Sequence, residues 1–194
     1  MPNWCFNTLE VTGPADKIKA FAQKAKGHTS SYNSFHGESW ETFDDVRIAS
    51  IASNLPEPGE VSDLSFHALC PVPDLVRRLG FDDRVAEKTA EALGVEYPGY
   101  GGYKWQTENW GTKWEPDVSY ADVHTNYIQY EFHTAWSPPI ALIEHLTKEW
   151  PDLSFEISYR EEGMGYEGGV TYSNGECLDQ WEGEIQYEDE DEEE

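Results

Sequence analysis

At 194 residues, with 38% hydrophobic and 14% aromatic side chains, the chain is long enough to bury a core as one domain. Its formal charge of −25, from 13 basic and 38 acidic residues, opposes phosphate backbones and anionic lipid heads, which excludes a general nucleic-acid or membrane-surface binder and favours a basic protein as partner. Three cysteines with no Cys-x-x-Cys pair argue against a disulfide framework or zinc ribbon; no run approaches the ~20 apolar residues of a membrane span, and the start is unlike a signal peptide, so the expected location is the cytoplasm.

Residues 3–12 read as a strand: Cys5, Leu9 and Val11 alternate with Trp4, Phe6 and Glu10, and Gly13-Pro14 ends the run. Residues 15–26 read as an amphipathic helix, with Ile18, Phe21, Ala22 and Ala25 on one face, lysines around it and Gly27 as its stop. Residues 27–115 form a long helical and irregular insertion. Within it, short helices are expected near 44–53 and over 81–93, a short strand over 64–69, a rigid turn at Cys70-Pro71-Val72-Pro73 and a loop over 97–103.

The sheet resumes at residue 117. Residues 118–124 and 127–134 are strands joined by a tight turn at Thr125-Asn126. Ser137 is a candidate N-cap with Pro138 in the first helical position, opening a helix that runs to Trp150. Leu153, Phe155, Ile157 and Tyr159 alternate in the next strand. Residues 166–172 add another, Asn174-Gly175 makes a turn, and 183–187 reads as a short edge strand. The order is strand, helix, insertion, strand, strand, helix, strand and a C-terminal hairpin. That is α+β, the ferredoxin-like split βαβ pattern of an antiparallel sheet with a long excursion in its first crossover. Residues 1–187 are one domain, with its sheet drawn from 3–12 and 117–187. Residues 188–194 are seven consecutive acids with nothing apolar to bury, expected to be disordered. Without residues 182–194, which hold nine acids, 29 acids still face 13 bases, so the body is acidic in its own right.

Four segments taken together carry a resemblance: Met1-Pro2-Asn3-Trp4-Cys5-Phe6-Asn7, Glu108 through Trp114, Phe132-His133-Thr134-Ala135-Trp136-Ser137-Pro138-Pro139, and Tyr159 through Gly163. In this order they resemble the YubB-like family of phage and plasmid proteins. The resemblance implies a ferredoxin-like domain and a mobile-element accessory role; it implies no reaction.

The candidate ligand-binding residues are Asn3, Trp4, Asn7, Trp110, Thr112, Lys113, Trp114, Trp136, Glu161 and Glu162. Trp110-Gly111-Thr112-Lys113-Trp114 pairs flat stacking faces with a cation, suited to a planar or anionic group, although core packing is the commoner use of tryptophan. Trp4, Trp136 and Trp150 are expected in or beside the core, with Trp136 as a hydrophobic staple of the helix that Ser137 caps. Cys5 reads as a buried structural thiol, and the Glu161-Glu162 pair as solvated carboxylates at a strand end. No His spacing, P-loop, Rossmann fingerprint or nucleophile elbow marks a metal, cofactor or catalytic site. Three functions compete. One is binding to a host protein, in counter-defence or by imitating DNA with an array of carboxylates; the second is a nucleotide-type ligand held by the aromatic and Lys113 segment; the third, with the least behind it, is a hydrolase or transferase using Glu161 or Glu162 in acid/base chemistry. If the second holds, the Trp110–Trp114 segment, the start of the first strand and the Glu161-Glu162-Gly163 turn must converge.

Overall fold

The computed structural model describes residues 3–34 and 44–186. In chain order the elements are β1 (Trp4–Thr12), α1 (Ala15–Ala25), β2 (Gly27–His28), α2 (Asp45–Ala52), β3 (Val61–Ser62), α3 (Phe66–Leu69), α4 (Asp74–Leu79), α5 (Asp83–Leu93), α6 (Gly102–Asn109), β4 (Lys113–Val123), β5 (Tyr127–Ala135), α7 (Ile140–Glu149), β6 (Ser154–Glu161), β7 (Tyr166–Ser173) and β8 (Glu176–Glu184). The expectation of a disordered acidic tail at 188–194 lies outside the described residues.

Six strands form one sheet in the order β4-β5-β1-β6-β7-β8, antiparallel at every pairing. The first four are the ferredoxin-like set, with β1 central between β5 and β6, and β7–β8 extend it at one edge. Alternation along β1 separates two faces. Cys5, Asn7, Leu9 and Val11 are buried, whereas Trp4, Phe6 and Thr12 are exposed. The helices α1 and α7 cover the first of these faces. Ile18, Phe21 and Ala25 from α1, and Leu142, Ile143 and Leu146 from α7, close over Leu9, Tyr130, Phe132, Phe155 and Ile157. Burying one such aliphatic or aromatic side chain contributes roughly 1.5–3 kcal/mol.

The insertion is more regular than its sequence suggests, with five helices among the described residues and the small β2–β3 ladder. Leu64, Phe66, Leu69, Val72, Val76, Trp105 and Trp110 join the main core, while Leu79, Ala86 and Ala90 make a second cluster. Two expectations within it are corrected. The stretch expected as a strand at 64–69 is mostly the helix α3, because the Ser65 hydroxyl accepts the Ala68 N–H at 3.0 Å and the Glu115 carboxylate accepts those of Phe66 and His67 at 2.8 Å and 3.2 Å. Residues 74–79 continue past the rigid turn as α4. The Gly/Pro loop gives way at Gly102 to α6, whose buried Trp105 and Gln106 anchor it.

Elsewhere, β4 begins at Lys113 rather than beyond residue 116, and the expected short edge at 183–187 is a nine-residue strand, β8. The helix α7 starts at Ile140 with Pro139 in the cap position, so Ser137 is no N-cap: its hydroxyl donates to the Gly111 carbonyl at 2.7 Å. Gly111, at φ 86°, is where that docking requires glycine, since a Cβ would come within 3.2 Å of the Ile140 and Ala141 amides.

Candidate functional site: the open sheet face and its aromatic end

The register places four segments at one end of the sheet. Lys113 and Trp4 both lie opposite Ala135, from β4 and β1 respectively, and Cys5 pairs with Glu161 of β6. Two strand spacings, roughly 10 Å, therefore separate the backbones of Lys113 and Trp4. Asn3 follows β1 outward. Its carbonyl accepts the Trp136 N–H at 2.9 Å, and a Cβ on Gly163 would lie 2.4 Å from its Nδ2. The starts of β1 and β4, the end of β5 and the Glu161-Glu162-Gly163 turn thus share one rim.

The ten candidate residues divide sharply at this rim. Trp110, Thr112 and Asn7 are buried and cannot face a ligand. Trp110 donates its indole N–H to the Cys70 carbonyl at 3.0 Å and packs edge-on against Phe66 and Trp105. The Thr112 hydroxyl donates to the Ala135 carbonyl at 2.8 Å. The Asn7 amide donates to the Cys5 carbonyl and the Thr134 hydroxyl, each at 2.9 Å, which locks β1 to β5. Glu161 is buried rather than solvated: its carboxylate accepts the Gly163 and Met164 N–H groups at 3.0 Å and 2.5 Å and so holds the turn after β6. Burial, with a smaller push from Glu161, raises the Cys5 thiol to about 12, which removes it as a nucleophile near neutrality.

The remaining candidates are accessible. Trp4 is 41% exposed, Trp114 40% and Trp136 53%, contrary to the expected burial of Trp4 and Trp136. Backbone geometry explains both tryptophans at the rim. Trp114 sits at φ 67° in a register shift of β4 between Lys113 and Asp117, a bulge that turns its side chain away from the regular pleat. Its N–H donates to the Gln106 Oε1 at 2.7 Å. Trp136, at φ 72°, is tied through its N–H to Asn3 and through its carbonyl, which accepts the Tyr166 hydroxyl at 2.8 Å. The Lys113 ammonium lies among the rings, 4.3 Å from the Trp114 centroid, 4.6 Å from that of Trp136 and 6.0 Å from that of Tyr103. Glu162 is exposed and pairs with Arg160 at 3.7 Å.

Below the rim, the open face carries a groove of about 420 Å³ lined by Phe6, Thr8, His133, Arg160, Glu167 and Trp181 among others. Phe6 meets His133 edge-on at 4.5 Å, His133 meets Trp4 at 6.5 Å, and Arg160 pairs with Glu167 at 3.3 Å. Trp181 on β8 lies against Gly169, where a Cβ would come 2.6 Å from its indole nitrogen. Sequence reasoning missed Phe6, His133, Arg160 and Trp181 as one surface. The alternation of β1 could have found Phe6, but nothing local to Trp181 shows that β8 brings it over β7. Among the described residues, no three His, Cys, Asp or Glu side chains converge to hold a metal ion, and no helix is long and apolar enough to cross a membrane.

Residues 109–194 match the family model described as the ferredoxin-like domain in Api92-like protein. The protein YubB of Escherichia coli (strain K12), which carries the description uncharacterized, is 29% identical over 106 residues, 49% of this chain and 73% of YubB. The crystal structure of a protein api92 from Yersinia pseudotuberculosis superposes with a TM-score of 0.49 at 14% identity, covering 97% of this chain and 100% of that one.

Proposed function

Taking residues 109–194 as a ferredoxin-like domain of the Api92-like kind, we propose that this protein acts by binding a basic protein partner on the open face of its sheet. One observation carries the reading. Phe6, Trp4, Trp136 and Trp181 stand 41–53% exposed around the groove and rim of a chain with a formal charge of −25. Clustered exposed aromatics mark contact surfaces, and the net negative charge of the chain favours basic partners and speeds their approach. In the phage or plasmid setting that the sequence resemblance implies, the partner is a host protein of the cytoplasm. Occupying its nucleic-acid-binding surface, as a DNA-like array of carboxylates would, amounts to counter-defence.

The test pairs wild type with Phe6→Ala/Trp181→Ala in pull-downs from host lysate at 50 and 300 mM salt, followed by titration of the purified captured protein. A basic protein held by wild type at low salt, weakened at high salt and lost by the folded variant supports the reading. Retention of the same proteins by both forms overturns it. A nucleotide ligand has weaker support, because Lys113 would have to leave the ring faces to meet a phosphate. It predicts stabilisation by about 2.7 kcal/mol at 100-fold excess of nucleotide over its dissociation constant.

A further inference from the structure

We propose that Tyr103, Trp114 and Trp136 form a binding box for the lysine ammonium of a partner protein, and that Lys113 fills it in the free protein. The proposal deepens the reading of the open face and rests on it for the identity of the partner. The box itself rests on geometry.

Its three rings come from α6, β4 and the residue after β5, and they converge on one cation at 6.0, 4.3 and 4.6 Å. Aromatic faces carry negative potential, so the site selects cations and disfavours phosphate or carboxylate. The rings stay reachable, at 40–53% exposure. Two of them ride on left-handed backbone, which is costly for a residue with a Cβ and recurs at ligand clamps. Both backbones are pinned independently of the lysine, that of Trp114 by Gln106 and that of Trp136 by Asn3 and Tyr166. The backbones that carry these two rings are therefore held without help from the lysine. In a chain with 38 acids, Lys113 pairs with rings and, among the described residues, with no carboxylate. The box also adjoins the open face, because Lys113 and Trp4 share Ala135 as their cross-strand neighbour. A protein lying on that face would present its lysine at the box. An internal occupant lowers the apparent affinity of an external one by the fraction of time it fills the site, so exchange makes the box a gate.

Tetramethylammonium chloride serves as the probe, with sodium chloride at equal ionic strength as the control, and the indole N–H resonances of Trp114 and Trp136 as the readout. Lys113→Ala and Lys113→Gln empty the box in two ways, so loss of folding in one leaves the other. Both variants are expected to saturate at a concentration at least about fivefold below wild type. The response should vanish in Lys113→Ala/Trp136→Ala. Equal responses of wild type and both Lys113 variants, or a persistent response in the double variant, overturn the box. Failure of the box leaves partner retention through Phe6 and Trp181 intact. Saturable probe binding without any retained basic protein leaves the box standing and removes the partner reading.

Discussion

On the covered face of the sheet, aromatic rings close on one another: Phe66 meets Trp110 at 5.6 Å and Phe132 at 5.9 Å, and Phe21 meets Phe155 at 5.6 Å, all edge-on and all buried. On the open face and rim the same residue types end in solvent or on a cation, with Trp136 53% and Trp181 51% exposed. The segment Trp110-Gly111-Thr112-Lys113-Trp114 contains both outcomes. Its first tryptophan is fully buried and its last is 40% exposed. Gly111 turns the chain against the start of α7, and the bulge in β4 re-aims Trp114. Residue type therefore does not decide which tryptophan packs and which recognises; a positive φ and a register shift do.

The largest test of that contrast is Trp110→Ala. It removes a ring buried between the insertion and the sheet, together with its hydrogen bond to Cys70, and should cost about 3–5 kcal/mol in urea unfolding. A loss below about 1 kcal/mol would mean that the insertion and the sheet do not share a core.

The glutamate pair gives a second, smaller contrast between adjacent residues. Glu161→Gln replaces one acceptor of the turn with a donor and should destabilise by about 1–3 kcal/mol. Glu162→Gln loses an exposed ion pair and should stay within about 0.5 kcal/mol of wild type. Equal effects would put both carboxylates in the same environment.

Thiol chemistry separates the two environments without mutation. Cys177 is exposed, while Cys5 and Cys70 are buried and their thiols raised chiefly by desolvation. A thiol-reactive chromophore at pH 8 should label one cysteine quickly in the folded protein and three after unfolding. The sign of the pH effect follows from the raised pKa. The stability associated with a protonated Cys5 is fully present below its unfolded value of 9.0 and is lost as pH rises toward the folded value of about 12, so base unfolding should be eased by ionisation of this group. Rapid labelling of all three thiols in the native state would contradict the burial of β1.

The sheet was legible because its strands obey a period of two and its turns carry Gly, Pro and Asn: Cys5, Leu9 and Val11 point one way, and Asn174-Gly175 sits between β7 and β8. The small helices α3, α4 and α6 were less so. They owe their ends to distant partners, such as Glu115 accepting amides of α3 from 48 and 49 residues away, and no local pattern encodes that contact. The candidate site was half legible. Lys113, Trp114 and Trp136 stood out by composition, but the sequence does not show that Trp110 and Thr112 are consumed by packing. Nor does it show that Trp136 is held outward by bonds to Asn3 and Tyr166 rather than stapled onto α7.

The smallest effect sharpens the comparison most, because it sets tryptophan against tryptophan. Trp136→Ala removes an exposed ring and its cation–π contact with Lys113, about 0.5–1 kcal/mol at such a site, and leaves the backbone bonds to Asn3 and Tyr166 in place. The loss should therefore stay near or below about 1 kcal/mol, against about 3–5 for Trp110. Trp136→Gly removes the same ring and also the Cβ that makes φ 72° costly, a relief of about 1 kcal/mol in the left-handed region, offset in part by the greater freedom of glycine in the unfolded chain. The glycine variant should thus equal or exceed the alanine variant in stability, an inversion of the usual order. Parallel urea titrations decide it. A glycine variant less stable than alanine by more than about 0.5 kcal/mol would show that the backbone at residue 136 is not held left-handed, and the outward placement of its ring would lose its physical cause.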